Sequence, residues 1–188
     1  MKVLGIMGSP RIKGNTDLLL DEALKGAESQ GAGVEKIIVD RLKIAPCREY
    51  YGCNRDGNCV IRDDMDDIYP KLLEADVVIV ASPMFFYGIT AQAKALIDRS
   101  QALWARKHVL HQDPPGSNRK GAFIAVGATR GKELFTGSIL TVKYFFGTIG
   151  VKYVEELLIR GIDKKGEIKE HPTALKDAFE LGKRLAQQ

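Results

Sequence analysis

The N-terminal stretch constrains the fold more than any other part of the chain. The apolar run Val3-Leu4-Gly5-Ile6-Met7 ends in Gly8-Ser9-Pro10-Arg11-Ile12-Lys13-Gly14-Asn15-Thr16, and an amphipathic segment begins at Asp17. A buried strand that breaks into a glycine-containing loop and then a helix sets unpaired backbone N–H groups at a helix N-terminus, where they attract a phosphate. Ser9 and Thr16 add hydroxyls, Asn15 an amide, and Arg11 and Lys13 positive charge. Gly8 and Gly14 permit close backbone approach or positive φ. The nucleoside-triphosphate loop GxxxxGK[ST] is excluded because Asn15 stands where its Lys must be, and GxGxxG is missing. The plainer alternative is a strand-to-helix turn capped by Asn15 or Thr16. A cap explains neither the length nor the charge of the loop.

Apolar runs alternate with amphipathic ones along the chain, the pattern of a parallel sheet with helices on both faces. The expected strands are Lys2 to Met7, Val34 to Val39, Val77 to Ala81, Ala122 to Val126 and Val151 to Ile159. Helices are expected at Thr16 to Ser29, Asp64 to Glu74, Thr90 to Arg106, Leu134 to Thr148 and Thr173 to Ala186, with Thr173 as an N-cap. Pro70 either kinks the second helix or restricts it to the residues after Tyr69. At 188 residues and 45% hydrophobic content, with no shift in composition, the chain is read as one domain over residues 1–188. The net charge of +4 is spread among interspersed acids and bases, which argues against nucleic acid as a partner. No apolar run is long enough to span a bilayer and no leader is apparent, so the cytoplasm is expected.

In an open α/β sheet, ligands bind beyond the carboxyl ends of the strands, so the loops after the first, third and fourth strands should converge. They carry Ser82-Pro83-Met84-Phe85-Phe86-Tyr87-Gly88 and Gly127-Ala128-Thr129-Arg130-Gly131 beside the first loop. Three consecutive aromatics either receive a flat ring or fill the core or a subunit interface. A phosphate at one loop and a ring at the next suggest a nucleotide-like cofactor. All three cysteines, Cys47, Cys53 and Cys59, lie in the long aperiodic stretch from Arg41 to Arg62, where metal or redox use is likelier than a disulfide framework. His108 and His111 have a ligand-like spacing but no completing group, and the acidic run Asp63 to Asp67 most simply supplies charge at a helix N-terminus.

Gly8 to Thr16, Ala81 to Gly88 and Thr90-x-Gln-x-Lys-x-x-x-Asp98-Arg99 together resemble the NAD(P)H-dependent FMN reductase family. The resemblance implies an α/β, flavodoxin-like three-layer fold with a five-stranded parallel sheet of order 2-1-3-4-5, and FMN as cofactor. It implies that Ser9, Arg11, Lys13, Asn15 and Thr16 surround the FMN phosphate. Ser82, Pro83, Met84, Phe85 and Phe86 would line the isoalloxazine, with Gly127, Ala128 and Thr129 closing the other side. Within the family the chain is most similar to the iron-sulfur flavoproteins, whose loop carries Cys-x-x-Cys-x-x-Cys-x(4 to 7)-Cys ahead of Asp-Asp-Met. Here Tyr50 takes the second ligand position, and Asp63-Asp64-Met65 follows. Cys47, Cys53 and Cys59 would hold an iron-sulfur cluster only with Tyr50, water or another fourth ligand, or in a three-iron form. Otherwise they are reduced thiols with structural or redox roles.

The function expected is an oxidoreductase in which NAD(P)H reduces FMN and the flavin passes electrons to a quinone, free flavin or other small acceptor. The alternatives are an electron-transfer protein fed by a ferredoxin-like donor through the cysteine loop, and a flavin-binding redox sensor. A homodimer or homotetramer is expected from the resemblance, with Trp104, Phe145 and Phe146 as candidate contacts or, alternatively, core residues.

Overall fold

The computed structural model describes residues 1–116 and 118–187. The chain runs β1 (Lys2–Met7), α1 (Asn15–Glu28), β2 (Gly33–Ile38), α2 (Cys53–Asp56), α3 (Met65–Glu74), β3 (Val77–Pro83), α4 (Ala91–Arg99), α5 (Gln101–His108), β4 (Lys120–Gly127), α6 (Thr136–Thr148), β5 (Lys152–Arg160) and α7 (Ala174–Leu185), with short 3-10 turns at Val39–Arg41 and Glu167–Glu170. The five strands form one parallel sheet in the order β2-β1-β3-β4-β5.

Successive residues of the central strands feed two cores, as period-2 geometry requires. Leu4, Ile6, Val78, Val80, Phe123 and Ala125 face α3 to α6. Val3, Met7, Val77, Ile79, Ala81, Ala122 and Ile124 face α1 and α7. Burial on both faces explains why these strands read as continuous apolar runs rather than as alternating ones. Reversal of strand order between β1 and β3 leaves the loops after β1, β3 and β4 together at the carboxyl edge. Gly8 N–H donates to Ala81 C=O and Met84 N–H to Val126 C=O, both at 2.8 Å, so the ladder carries each loop start past its strand.

Several local expectations are corrected. The single helix expected from Thr90 to Arg106 is two, broken at Ser100. The Arg99 carbonyl accepts the Tyr69 hydroxyl at 2.8 Å, while Leu103 N–H turns to Ser100 C=O at 2.9 Å. Helix α3 runs through Pro70 rather than starting after Tyr69. Thr173 precedes α7 but makes no side-chain cap; His171 Nδ1 instead accepts Ala174 N–H at 3.1 Å. Phe145 and Phe146 are core residues, whereas Trp104 is 39% exposed. Among the described residues, no helix is long and apolar enough to cross a membrane.

Candidate functional site

The β1–α1 loop is built to leave the start of α1 open. Gly14 stands at the cap position and makes no side-chain cap, so neither Asn15 nor Thr16 closes the helix end. Amides of the first turn are therefore available to an anion. Ser9 and Thr16 are 3% and 2% exposed, placing two buried hydroxyls beside that turn. The left-handed residue of the loop is Lys13, at φ 55°, rather than either glycine. Its backbone N–H donates to Asp17 Oδ2 at 2.7 Å, which holds the strained turn in place. Gly14 serves close approach instead: an added Cβ would lie 2.8 Å from the Arg11 carbonyl oxygen.

Asp17 was not singled out in the sequence, yet it decides the charge of the site. A buried carboxylate at a phosphate position would repel the ligand, but Asp17 is ion-paired to Lys36 of β2. Burial alone would lower the Lys36 ammonium; Asp17 and Asp21 outweigh it and hold the group above its ordinary value. Thr90, also missed, is wholly buried; its Oγ1 donates to Gly8 C=O at 2.5 Å and accepts Ala93 N–H at 3.2 Å. It fastens the first loop to α4.

A cleft of about 90 Å³ at this edge is lined by Ser9, Arg11, Asn15, Thr16, Pro83, Met84, Phe85 and Ala128 among others. Three expected regions thus converge. Asp163 and Lys165, from the β5–α7 connection, complete the cleft. Neither was singled out in the sequence. Asn15 makes this junction: its Nδ2 donates to Lys164 C=O at 2.9 Å and its Oδ1 accepts Ile168 N–H at 3.2 Å. Its amide is committed to shaping the cleft. Lys13, Ser82, Phe86, Gly127 and Thr129 do not line it. Ser82 is buried, with its Oγ accepting Thr90 N–H at 3.2 Å, and Gly127 C=O accepts Gly161 N–H at 2.8 Å. Both act as supports. Phe86 and Thr129 are exposed at the rim.

The aromatic loop is a tight turn, not the start of a helix. Phe85 N–H donates to Gly88 C=O and Gly88 N–H to Phe85 C=O, both at 2.9 Å. Between them Phe86 and Tyr87 sit at φ 50° and 61°. Two successive left-handed residues make a turn that favours Asn-Gly, and bulky residues there cost on the order of 1–3 kcal/mol each. Phe86 is completely exposed, so no burial offsets its strain. Such strain, in a loop beside a cleft, marks a functional surface.

The cysteine loop folds separately, against α4 and α5. Cys47, Cys53 and Cys59 line one cavity of about 370 Å³ with Tyr50, Tyr51 and Arg99. All three are free. Burial pushes the Cys53 thiol up, and the neighbouring Cys59 and Cys47 add to this. The loop is anchored by Arg99, whose Nη1 donates to Ala45 C=O at 2.9 Å and Asp63 Oδ2 at 2.5 Å and whose Nη2 donates to Ile61 C=O at 3.1 Å. Asp63 also accepts Ala45 N–H at 2.9 Å and Met65 N–H at 3.1 Å. The acidic run therefore clamps this loop as well as starting α3. Burial would raise the Asp63 carboxyl, but these partners outweigh it and hold the group below its ordinary value. Among the described residues, no three Cys, His, Asp or Glu side chains are arranged to hold a metal ion. His108 packs its ring against Trp104 at 4.9 Å.

The sequence model of the NADPH-dependent FMN reductase family matches residues 1–142. The chain belongs to this family. An iron-sulfur flavoprotein of Methanocaldococcus jannaschii is 42% identical over 130 residues, spanning 69% of this chain and 64% of that protein. One from Archaeoglobus fulgidus is 36% identical over 188 residues, covering all of this chain and 80% of that protein. The NAD(P)H:quinone oxidoreductase from Methanothermobacter marburgensis has a TM-score of 0.71 over 98% of each chain at 16% identity, which shows the shared flavodoxin-like fold. For this FMN reductase family member, the open helix end, the two buried hydroxyls and the charge-balanced loop fit a phosphate monoester such as that of FMN.

Two predictions follow from the geometry of these loops. Replacing Phe86→Asn and Tyr87→Gly together should raise the thermal midpoint, by relieving about 2–6 kcal/mol of strain less the chain entropy that the new glycine adds, while weakening FMN binding measured by fluorescence titration. Unchanged stability would show that the turn is not strained. Asp63→Asn should cost about 3 kcal/mol in urea denaturation at neutral pH and speed thiol labelling in the cysteine loop. Because the Asp63 carboxyl is depressed, its contribution is complete above the ordinary carboxylate range and is lost as pH falls through the depressed value. The stability gap between wild type and variant should accordingly close in acid.

Proposed function

We propose that the protein is an FMN-dependent oxidoreductase that accepts hydride from NAD(P)H and delivers electrons to a small acceptor such as a quinone or a free flavin. The observation that carries this reading is the uncapped first turn of α1, flanked by buried Ser9 and Thr16 and facing the β3 and β4 loops. In this reading Ser9, Arg11, Thr16 and the first-turn amides hold the phosphate, with Lys165 as a second cation beside Arg11. Lys13 shapes the loop through its backbone, and Asn15 ties the loop to the β5–α7 connection. Pro83, Met84, Phe85 and Ala128 form the near wall, and Phe86 and Thr129 the exposed rim, for the flavin ring. Bound FMN supplies the hydride acceptor, while the protein sets orientation and local electrostatics.

Phe85 and Ala128 line the cleft and Phe86 and Thr129 are exposed beside it, which supports a ring seated at the open rim. The groove between α5 and α6, lined by Trp104, Lys107, His108 and Tyr144, supports a homodimer or homotetramer. Three unpaired cysteines fit a reducing compartment, the cytoplasm.

Purified protein incubated with FMN and desalted should retain about one flavin per chain, and anaerobic NADPH or NADH should bleach its visible band within seconds. Colourless protein with no saturable FMN binding would end this reading. Retained flavin that responds to dithionite but to neither nicotinamide would leave the cofactor and reject the donor.

A further inference from the structure

We infer that this chain carries no iron-sulfur cluster, unlike what the names of its relatives suggest, and that Tyr50 is the residue that withholds it. A cubane cluster is held by four thiolates, and ligand number and arrangement decide whether a site binds at all. This loop offers three thiols, at Cys47, Cys53 and Cys59, and the chain has no other cysteine to recruit.

The three thiols line one cavity without forming a set of metal ligands among the described residues. Cys53 and Cys59 pack against the main core beside α3 and α5, as small apolar groups do. Cys47 lines the same cavity from the stretch before α2, separated from Cys53 in sequence by Glu49 and Tyr51, which both adopt left-handed backbone at φ 52° and 55°. No carboxylate or imidazole joins the thiols to make a set of three ligands among the described residues. Tyr50 lies between those two left-handed residues, where a fourth thiol would have to stand. Its side chain is a neutral phenol, 60% exposed, and its hydroxyl takes only a long hydrogen bond of 3.4 Å from Arg48. Arg99 does not select a ligand for the cavity either. Its Nη atoms are spent on Ala45, Ile61 and Asp63, and its Nε, which has no acceptor among the described residues, is closed off from solvent.

The consequence is a change of electron route. Without a metal relay in the cysteine loop, a one-electron carrier protein has no path through these thiols, and reduction of the flavin falls to hydride transfer at the cofactor cleft. That consequence rests on the FMN reading above; the ligand argument does not. Because Tyr50 is exposed and its one side-chain hydrogen bond among the described residues is to Arg48, its replacement leaves the core and the Arg99–Asp63 anchor intact.

The test is metal analysis of wild type, Tyr50→Cys and Tyr50→Ser, each purified anaerobically and reconstituted with ferrous iron and sulfide under reducing conditions. Iron, sulfide and flavin are counted separately per chain, and dithionite-reduced samples are examined by electron paramagnetic resonance. Wild type and Tyr50→Ser should stay essentially free of iron, while Tyr50→Cys gains about four irons and four sulfides and a reduced-cluster signal. Wild type with three or more irons per chain would overturn the inference, through a three-iron form or a Tyr50 or solvent ligand. An iron-free Tyr50→Cys would equally overturn Tyr50 as the deciding residue. Loss of flavin with the expected iron pattern would reject the FMN reading alone.

Discussion

The structure depends on an uncapped helix: α1 begins at the carboxyl end of the central strand with no side chain satisfying its first amides. Leaving those donors open is unfavourable unless an anion reaches them, and the surrounding residues keep the arrangement rigid while it is open. Thr90 ties Gly8 to α4, the β-ladder ties Gly8 to Ala81, and Asp17 holds Lys13 in its left-handed turn. Lys36 removes the charge conflict that Asp17 would otherwise create. These contacts come from β2, β3, α1 and the start of α4, so the sheet edge positions the loop together with its own local bonds, Arg11 N–H to Ser9 Oγ and Gly14 N–H to Arg11 C=O.

The second constraint is the strained aromatic turn. Its strands and its Gly88 are ordinary, but Phe86 and Tyr87 occupy backbone positions that suit asparagine and glycine. The half-exposed Tyr87 reaches the loop after β4, where a Cβ on Gly131 would lie 2.3 Å from the phenol oxygen. The paired Phe85 and Gly88 bonds close the turn, which presents Phe86 to solvent. A preorganised aromatic rim lowers the ordering cost of receiving a flat ring, which is a physical reason for a protein to tolerate such strain.

The sheet and the converging loops were legible because strands buried on both faces leave continuous apolar runs, and because parallel topology fixes which loop ends meet. Ser9, Arg11, Thr16 and Phe85 stood out by local chemistry and Pro83 and Met84 by the resemblance, and the fold brings them to one cleft. Asp17, Thr90 and Lys165 were not, since their roles depend on partners far along the chain: Lys36, Gly8 and the junction made by Asn15. The break at Ser100 was hidden for the same reason, as it arises where the Tyr69 hydroxyl captures the Arg99 carbonyl. Arg99 itself ended a recognised motif, but only the fold reveals that it anchors the cysteine loop through Asp63.

The central claim is that the open end of α1 is a phosphate site and that this phosphate anchors the flavin. Parallel fluorescence titrations of the flavin-free protein with FMN and riboflavin, which share the ring and ribityl chain, test it directly. Charge-assisted hydrogen bonds to the first-turn amides, Ser9, Thr16 and Arg11 predict that FMN binds at least about 100-fold more tightly, roughly 2.7 kcal/mol. Equal affinities for the two flavins would contradict the account.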